Sequence, residues 1–266
     1  MNDITIIIPI LSKDLNSSKL ANAVASVVKC QEHYTKGKLK ILIITDPDEN
    51  GPDYTLFNDI ECNYILNESG KYDFCSQINY AVDKIDTEYF SILEFDDEYK
   101  PKWFRFADQY YFGNEDVSVF LPINIVTDTK NQHWQYVNEM ALATSNADEF
   151  GFIDEELLEF YTGFNLTGAI FNTADFIKVG KYKPSIKIAF NYELMLRMAD
   201  KKLKMFVVPK EGYTHMIGRV GSLTDSYNQE IPPEEVKLWF ELAKREHTYD
   251  HDRNKGVTIG KKVKLT

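Results

Sequence analysis

The chain has 266 residues, 44% of them hydrophobic, enough to build and bury a full core and too many for a disordered protein. Its net charge of -11 excludes a generally basic, nucleic-acid- or membrane-coating surface, although it leaves room for a local basic patch. Cys30, Cys62 and Cys75 show neither paired spacing nor histidine partners, which fits unpaired thiols in a reducing, cytoplasmic setting. The N-terminal apolar run lacks a basic flank and is far too short to cross a bilayer, so no membrane anchor is expected.

In chain order, "ITIIIPIL" (Ile4 to Leu11) is continuous and β-branched, the pattern of a strand buried on both faces. Ser17 and Ser18 open a helix whose Leu20, Ala23, Val24, Val27 and Val28 recur at helical spacing. "LKILIIT" is a second buried strand, ended by the loop "DPDENGPD". A weaker strand "CNYIL" precedes the helical "DFCSQINYAVDKI", and "EYFSILEF" is a strong strand running into Asp96 and Asp97. This alternation predicts a parallel sheet covered by helices. "WFRFADQYYF" reads as a helix after Pro101 and "VSVFLPINIV" as extended chain. Residues from about 137 to 161 read as largely helical. "NYELMLRMADKKL" is a helix, "KMFVVP" a short strand closed by Pro209, and "PPEEVKLWFELAKRE" a last helix with acids in its first turn. The tail "RNKGVTIGKKVKLT" holds five basic residues and no acid.

In open sheets of this kind, ligands sit beyond the carboxyl ends of the strands. "TDPDENG" and "EFDDE" both lie at such ends, so two acidic loops some 50 residues apart in sequence share one rim.

These segments resemble the family-two nucleotide-sugar glycosyltransferases of the GT-A fold. "ITIIIPIL" is similar to that family's first strand "VSIIIPxYN", and "LIITDPDENG" to its aspartate-rich second loop. "SQINYAVDKIDTEYFSILEFDD" matches "ARNxGIxxAxGEYIxFLDxDD" without gaps, with Asn79, Glu88, Tyr89, Asp96 and Asp97 on identical positions. "GAIFNTADFIKVGKY", "YELMLRMADKKLKMFVVP" and "GSLT" resemble later family motifs, so the likeness runs over residues 1 to 225. It implies an α/β, Rossmann-like, mixed and mainly parallel sheet flanked by helices. The expected layout is a single domain over 1–225, with a nucleotide-sugar half (1–100) and an acceptor half (101–225), then a C-terminal helix and basic tail (226–266).

The resemblance further implies a UDP- or other nucleotide-sugar donor and Mn²⁺ or Mg²⁺. Hard cations take carboxylate oxygens, and a cation can neutralise the charge that grows on a departing diphosphate. By the family match, Asp96 is the direct metal ligand of a DXD-like motif, and Glu94 faces the ribose or metal-bound water. Asp46 or Asp48 holds the uracil or ribose, Pro9 and Ile10 form the floor beneath the nucleotide, and Asn79 falls on the family asparagine. Asp46 has an alternative as the head of an Asx turn before Pro47, and Asn79 as a structural bond to a neighbouring backbone. His215 stands where the family presents a metal- or diphosphate-binding group, and Arg219 suits a phosphate by charge. Arg197 reads as a structural ion-pair residue. Trp103 and Trp134 are candidates for stacking, with burial the default.

Two departures from the family pattern matter. Glu94 replaces an aspartate and is one methylene longer. More seriously, Asn191 stands where the family places its base, and an amide cannot accept a proton from a hydroxyl. Either Asn191 caps the following helix or it contacts a ligand. Another acid (Glu193, Asp175 or Asp154) serves as base, or transfer proceeds with retention, or the fold binds sugar nucleotides without catalysis. Glu193 lies about 200° around the helix from Asn191 and should point away from it. The acceptor is expected to meet residues 122 to 165, rich in Asn, Tyr, Trp and acids, which suits a soluble glycan, protein or nucleotide better than a lipid. The overall composition resembles that of large-bacteriophage proteins, which keeps a hydroxymethylated DNA base as an alternative acceptor.

Overall fold

A computed structural model describes residues 1–47, 62–130, 132–143, 149–218 and 231–247, with only the backbone of His247. Asp48, Arg219, the "GSLT" segment and the basic tail lie outside the described residues.

The strong apolar runs form the strands they predict: β1 (Ile4–Pro9), β2 (Leu39–Thr45), β3 (Cys62–Leu66) and β4 (Tyr89–Ile92). They pair in the order β3-β2-β1-β4, all parallel. The next strand, β9 (Ile170–Asn172), is antiparallel to both β4 and β6 (Val117–Thr127). β10 (Lys204–Met216) then runs parallel to β6, and β5 (Glu98–Tyr99) closes that edge antiparallel. β7 (His133–Val137) pairs back on β6, and β8 (Phe152–Ile153) on β10. The result is the expected mixed, mainly parallel sheet.

Strand alternation sorts the core into two layers. Ile4, Ile6, Ile8, Ile41 and Ile43 pack with α1 (Ser18–Gln31) and α3 (Trp103–Tyr111). Ile7, Leu42, Ile44, Phe90 and Ile92 pack with α2 (Phe74–Val82), α4 (Glu155–Phe160), α5 (Thr173–Lys178) and α6 (Phe190–Asp200). The C-terminal α7 (Pro233–His247) lies against α6, with Tyr192 and Phe240 rings 5.4 Å apart. Ser17 caps α1 by accepting from the Leu20 N–H, as its position before the apolar stripe predicts. No helix among the described residues is long and apolar enough to cross a membrane. Cys30, Cys62 and Cys75 are free thiols.

Two stretches differ from their sequence reading. Residues 137 to 161 hold only a short 3-10 turn (Glu139–Leu142), β8 and the six-residue α4 among the described positions. Asn138, with φ 77 and its amide donating to the Pro122 and Asn165 carbonyls, breaks the helical pattern there. β10 does not stop at Pro209. Its pairing with β6 slips between Val207 and Glu211, and the slip accommodates a residue with no N–H to offer the ladder.

Candidate active site

β1, β2, β4, β6 and β10 all point their carboxyl ends at one rim. Beyond β4, the Asp97 N–H donates to the Glu94 carbonyl at 3.0 Å, closing a tight turn. A turn of this kind brings its first and last residues together and leaves Phe95 and Asp96 as the central pair. β5 follows at once and pairs Tyr99 and Glu98 with Tyr213 and Thr214 of β10, which sets the turn beside His215. His215 Nδ1 lies 2.8 Å from Asp97 Oδ2, and the Met216 N–H donates to Asp97 Oδ1 at 2.7 Å. Glu94, Asp97 and His215 offer ligand atoms that all lie within 4.8 Å of one another. Gly168 makes the approach possible: a Cβ there would meet the Tyr213 ring at 2.3 Å, and the Tyr213 hydroxyl accepts from the Glu94 N–H.

The electrostatics are those of an undercompensated pocket. Burial, then the Asp97 charge, pushes Glu94 up to about 7. Asp97 is raised chiefly by burial, against the opposing pull of His215. Burial lowers the His215 imidazole, but Asp97, Glu94 and Asp96 outweigh it and bring it to about 9. Among the described residues, two carboxylates thus share one imidazolium in a half-buried place.

Asp46 follows β2 on the same rim. Its oxygens accept from the Ser12 N–H at 2.7 Å and the Ser12 hydroxyl at 3.0 Å, so it fastens the loop that leaves β1; the N–H that an Asx turn before Pro47 would use lies outside the described residues. Pro9 and Ile10 end β1, both buried, between Asp46 and the Glu94 turn. The acidic loops therefore flank one strand end, as the sequence predicts. Asp96 stands beside the cluster, partly buried and close enough to raise His215, but the turn brings Asp97 rather than Asp96 into the group of three.

For Asn79 the structural alternative replaces the donor-binding one, and three other expectations need correction. Asn79 uses both ends of its amide on the Tyr182 backbone, donating to its carbonyl at 2.8 Å and accepting from its N–H at 3.0 Å, which is a structural clasp and not a donor contact. Glu193 is 0% exposed and locked to Arg197, whose Nε and Nη2 donate at 3.0 and 2.8 Å, with Lys183 Nζ also at 2.8 Å. A carboxylate whose oxygens are engaged by two cations is a poor base, and its place in the core keeps it from an incoming hydroxyl. Asp175 accepts from the Ser118 hydroxyl at 2.6 Å, near the amino end of β6, on the rim opposite the cluster. Asp154 caps α4 through the Leu157 N–H.

Asn191 is not a cap either. Ala189 holds that position, and Asn191 sits in the first turn of α6. Its Oδ1 accepts from the Tyr182 hydroxyl at 3.0 Å, while its Nδ2 lies 3.5 Å from Asn165 Oδ1. Thr167 bonds the same Asn165 oxygen at 2.5 Å and approaches Glu94 Oε1 at 3.5 Å. A neutral chain, Tyr182–Asn191–Asn165–Thr167, thus runs from α6 to the acidic turn.

Asp97, Tyr213 and Thr167 were missed as site residues. The i to i+3 spacing of Glu94 and Asp97 across a turn is a local signal for Asp97. Nothing local marks Tyr213 or Thr167, which reach Glu94 across 119 and 73 residues of sequence. Trp103 is buried and donates to the Gly168 carbonyl at 3.0 Å, so it serves the core.

No protein-family model matches the chain, and no curated protein matches it in sequence. Solved structures do. Residues 1–349 of S. aureus TarS in complex with UDP-GlcNAc superpose with a TM-score of 0.62 at 12% identity, covering 91% of this chain and 65% of that one. The UDP complex gives 0.56 at 13% over the same shares, and a longer TarS chain gives 0.58 at 12%, covering 100% of this chain and 46% of its own. The chain thus spans about half to two thirds of the TarS chains it matches, and at this identity the likeness is one of fold: the architecture is of the GT-A glycosyltransferase type.

Proposed function

We propose that the protein is a cation-assisted glycosyltransferase that moves a sugar from a nucleotide-sugar donor, a UDP-sugar in the first instance, to an acceptor hydroxyl. The observation that carries this reading is the Glu94–Asp97–His215 cluster at the carboxyl rim of a fold shared with TarS in complex with UDP-GlcNAc. The donor set is two carboxylates and an imidazole, with excess negative charge, and so fits a divalent ion. Imidazole suits Mn²⁺ better than Mg²⁺, which prefers an all-oxygen shell. Bound there, the ion would neutralise charge on the departing diphosphate. Asp46, fixed by Ser12, and the floor of Pro9 and Ile10 lie where the base and ribose of such a donor would rest; Asp48, Asp96 and Arg219 are further candidate contacts.

Inversion, the stereochemistry that the family pattern suggests, needs a base. Asn191 has no basic atom, and Glu193, Asp175 and Asp154 are each engaged elsewhere. Retention, in which the departing phosphate oxygen takes the acceptor's proton, suits these residues better. The same commitments also favour a second reading, a sugar-nucleotide-binding protein without turnover.

The test is thermal melting with UDP and UDP-GlcNAc, with and without Mn²⁺, alongside an assay for UDP release. At a ligand concentration of about 100 Kd, stabilisation of about 2.7 kcal/mol is expected, and Asp97→Asn should remove its Mn²⁺-dependent part. Binding without UDP release supports the second reading; no response to any nucleotide sinks both.

A further inference from the structure

The β6–β7 hairpin leaves the sheet beside the acidic cluster and carries exposed rings. Trp134 is 64% exposed and Tyr136 41% exposed. His133 is exposed too, and its ring centroid lies 4.6 Å from that of Tyr136. A regular strand sends residues 133 and 136 to opposite faces. Here the pairing slips: Gln135 opposes Val126 and His133 opposes Thr127, so Trp134 is the extra residue of a bulge that returns His133 and Tyr136 to one side.

The loop before Trp134 is held. The Asp128 carboxylate accepts from the Gln132 and Lys130 N–H groups at 2.9 and 2.8 Å, and these bonds lower its pKa, with Gln132 the largest contributor. Tryptophan is ordinarily buried over most of its surface. The Asp128 loop and the pairing with β6 hold the backbone beneath a ring that stays open to solvent, which saves a ligand part of the entropic cost of ordering it.

Its position and chemistry narrow the occupant. Gln135 pairs with Val126, and Val126 with His215, so the backbone of β7 runs two strand spacings, about 10 Å, from that of His215. The sequence "HWQYV" has no carboxylate, lysine or arginine. A nucleic acid would require cations along its phosphates, and the flanking charges are Asp128, Lys130 and Glu139. Flat rings beside neutral amides match the alternating C–H faces and hydroxyls of a sugar.

We propose that Trp134, Tyr136 and His133 form the acceptor platform for a neutral oligosaccharide whose terminal hydroxyl extends to the Glu94–Asp97–His215 cluster. This rests on the donor-site reading above, and the two can fail separately. The whole chain would be applied to a printed array of neutral oligosaccharides and duplex DNA, and the best-retained sugar titrated by calorimetry. Wild-type protein would be titrated with UDP in parallel.

The expected result is retention of an oligosaccharide series, an affinity loss of about tenfold or more in Trp134→Ala, and recovery of most of it in Trp134→Phe. Because Trp134 is exposed, an unchanged melting temperature should accompany the loss. The platform is overturned if wild type retains no oligosaccharide, if Trp134→Ala binds it equally well, if duplex DNA is preferred, or if the strand instead mediates self-association that Trp134→Ala abolishes. Oligosaccharide binding without UDP binding would instead remove the donor reading and leave the platform as a lectin-like site.

Discussion

Two groups of buried acids sit on this molecule, and they are built in opposite ways. Glu193, on the buried side of α6, meets the two-pronged guanidinium of Arg197 and the ammonium of Lys183, and Arg197 also donates to the Val179 and Lys181 carbonyls. Every charge there has a partner. Glu94 and Asp97, at the strand-end rim, share one histidine. The first arrangement is finished and stabilises the α5–α6 connection; the second, among the described residues, is short of positive charge, and in a half-buried pocket that shortage favours a cation or a proton. Burial of an acid thus says little about its role until the partners are counted.

The largest expected effect comes from breaking the finished group. Glu193→Ala strands a buried guanidinium, and loss of one partner of a buried pair costs about 3–5 kcal/mol, a drop of roughly 10 °C in melting temperature for a chain of this size. Denaturant titration measures it, and a loss comparable to that of a surface substitution would refute the assignment.

Breaking the unfinished group should do the reverse without a cation. Glu94 is raised to about 7 from an ordinary 4.5, so its favourable contribution is full below about 4.5 and fades as pH rises through 7. His215 is raised to about 9 from 6.5, so its contribution is full below 6.5 and fades through 9. Both predict that metal-free protein becomes less stable from pH 5 to 9. Glu94→Gln should flatten the lower part of that decline and melt above wild type at pH 8, yet gain less from Mn²⁺. A melting curve that parallels wild type at every pH would show that Glu94 is not the strained carboxylate. Both effects should stay smaller than that of Glu193→Ala.

The same contrast explains what the sequence could reveal. Ile4 to Leu11, Leu39 to Thr45 and the helix after Ser17 declare themselves because a strand buried on both faces and a capped amphipathic helix are local patterns. So is the rim, which follows from strand direction alone, and it places Asp46 and the Glu94 turn correctly. For Glu193 the i+4 spacing to Arg197, which reads as an ion-pair residue from the sequence, is a local signal of its structural role, whereas Lys183 and the His215 partner of Asp97 are supplied by tertiary packing. A motif match fixes position along the chain, but it does not say which carboxylate of "EFDDE" turns inward; the hydrogen bond from Asp97 to the Glu94 carbonyl decides that. β5, β7 and β9 escaped for a related reason. They are two to five residues long, and β9 follows Gly168, where both φ +74 and the Tyr213 ring exclude a side chain for reasons that only the fold supplies.

The smallest effect is expected at Asn191, where the neutral chain meets α6. Aspartate there keeps the bond from the Tyr182 hydroxyl, but it exchanges the long 3.5 Å contact with Asn165 for two facing oxygens and adds a half-buried charge, a cost that should stay below that of stranding Arg197. A positioned general base contributes about 10²–10⁴ in rate. If the acceptor's proton left through position 191, Asn191→Asp would therefore raise turnover by at least the lower figure and give a product of configuration opposite to the donor's. With the proton taken by the departing diphosphate, turnover should change by less than about tenfold, below what a positioned base supplies, and the product anomer should stay the same. Proton NMR of the transferred sugar reads both at once. A hundredfold gain would mean that the wild-type pocket is an inverting site missing its base.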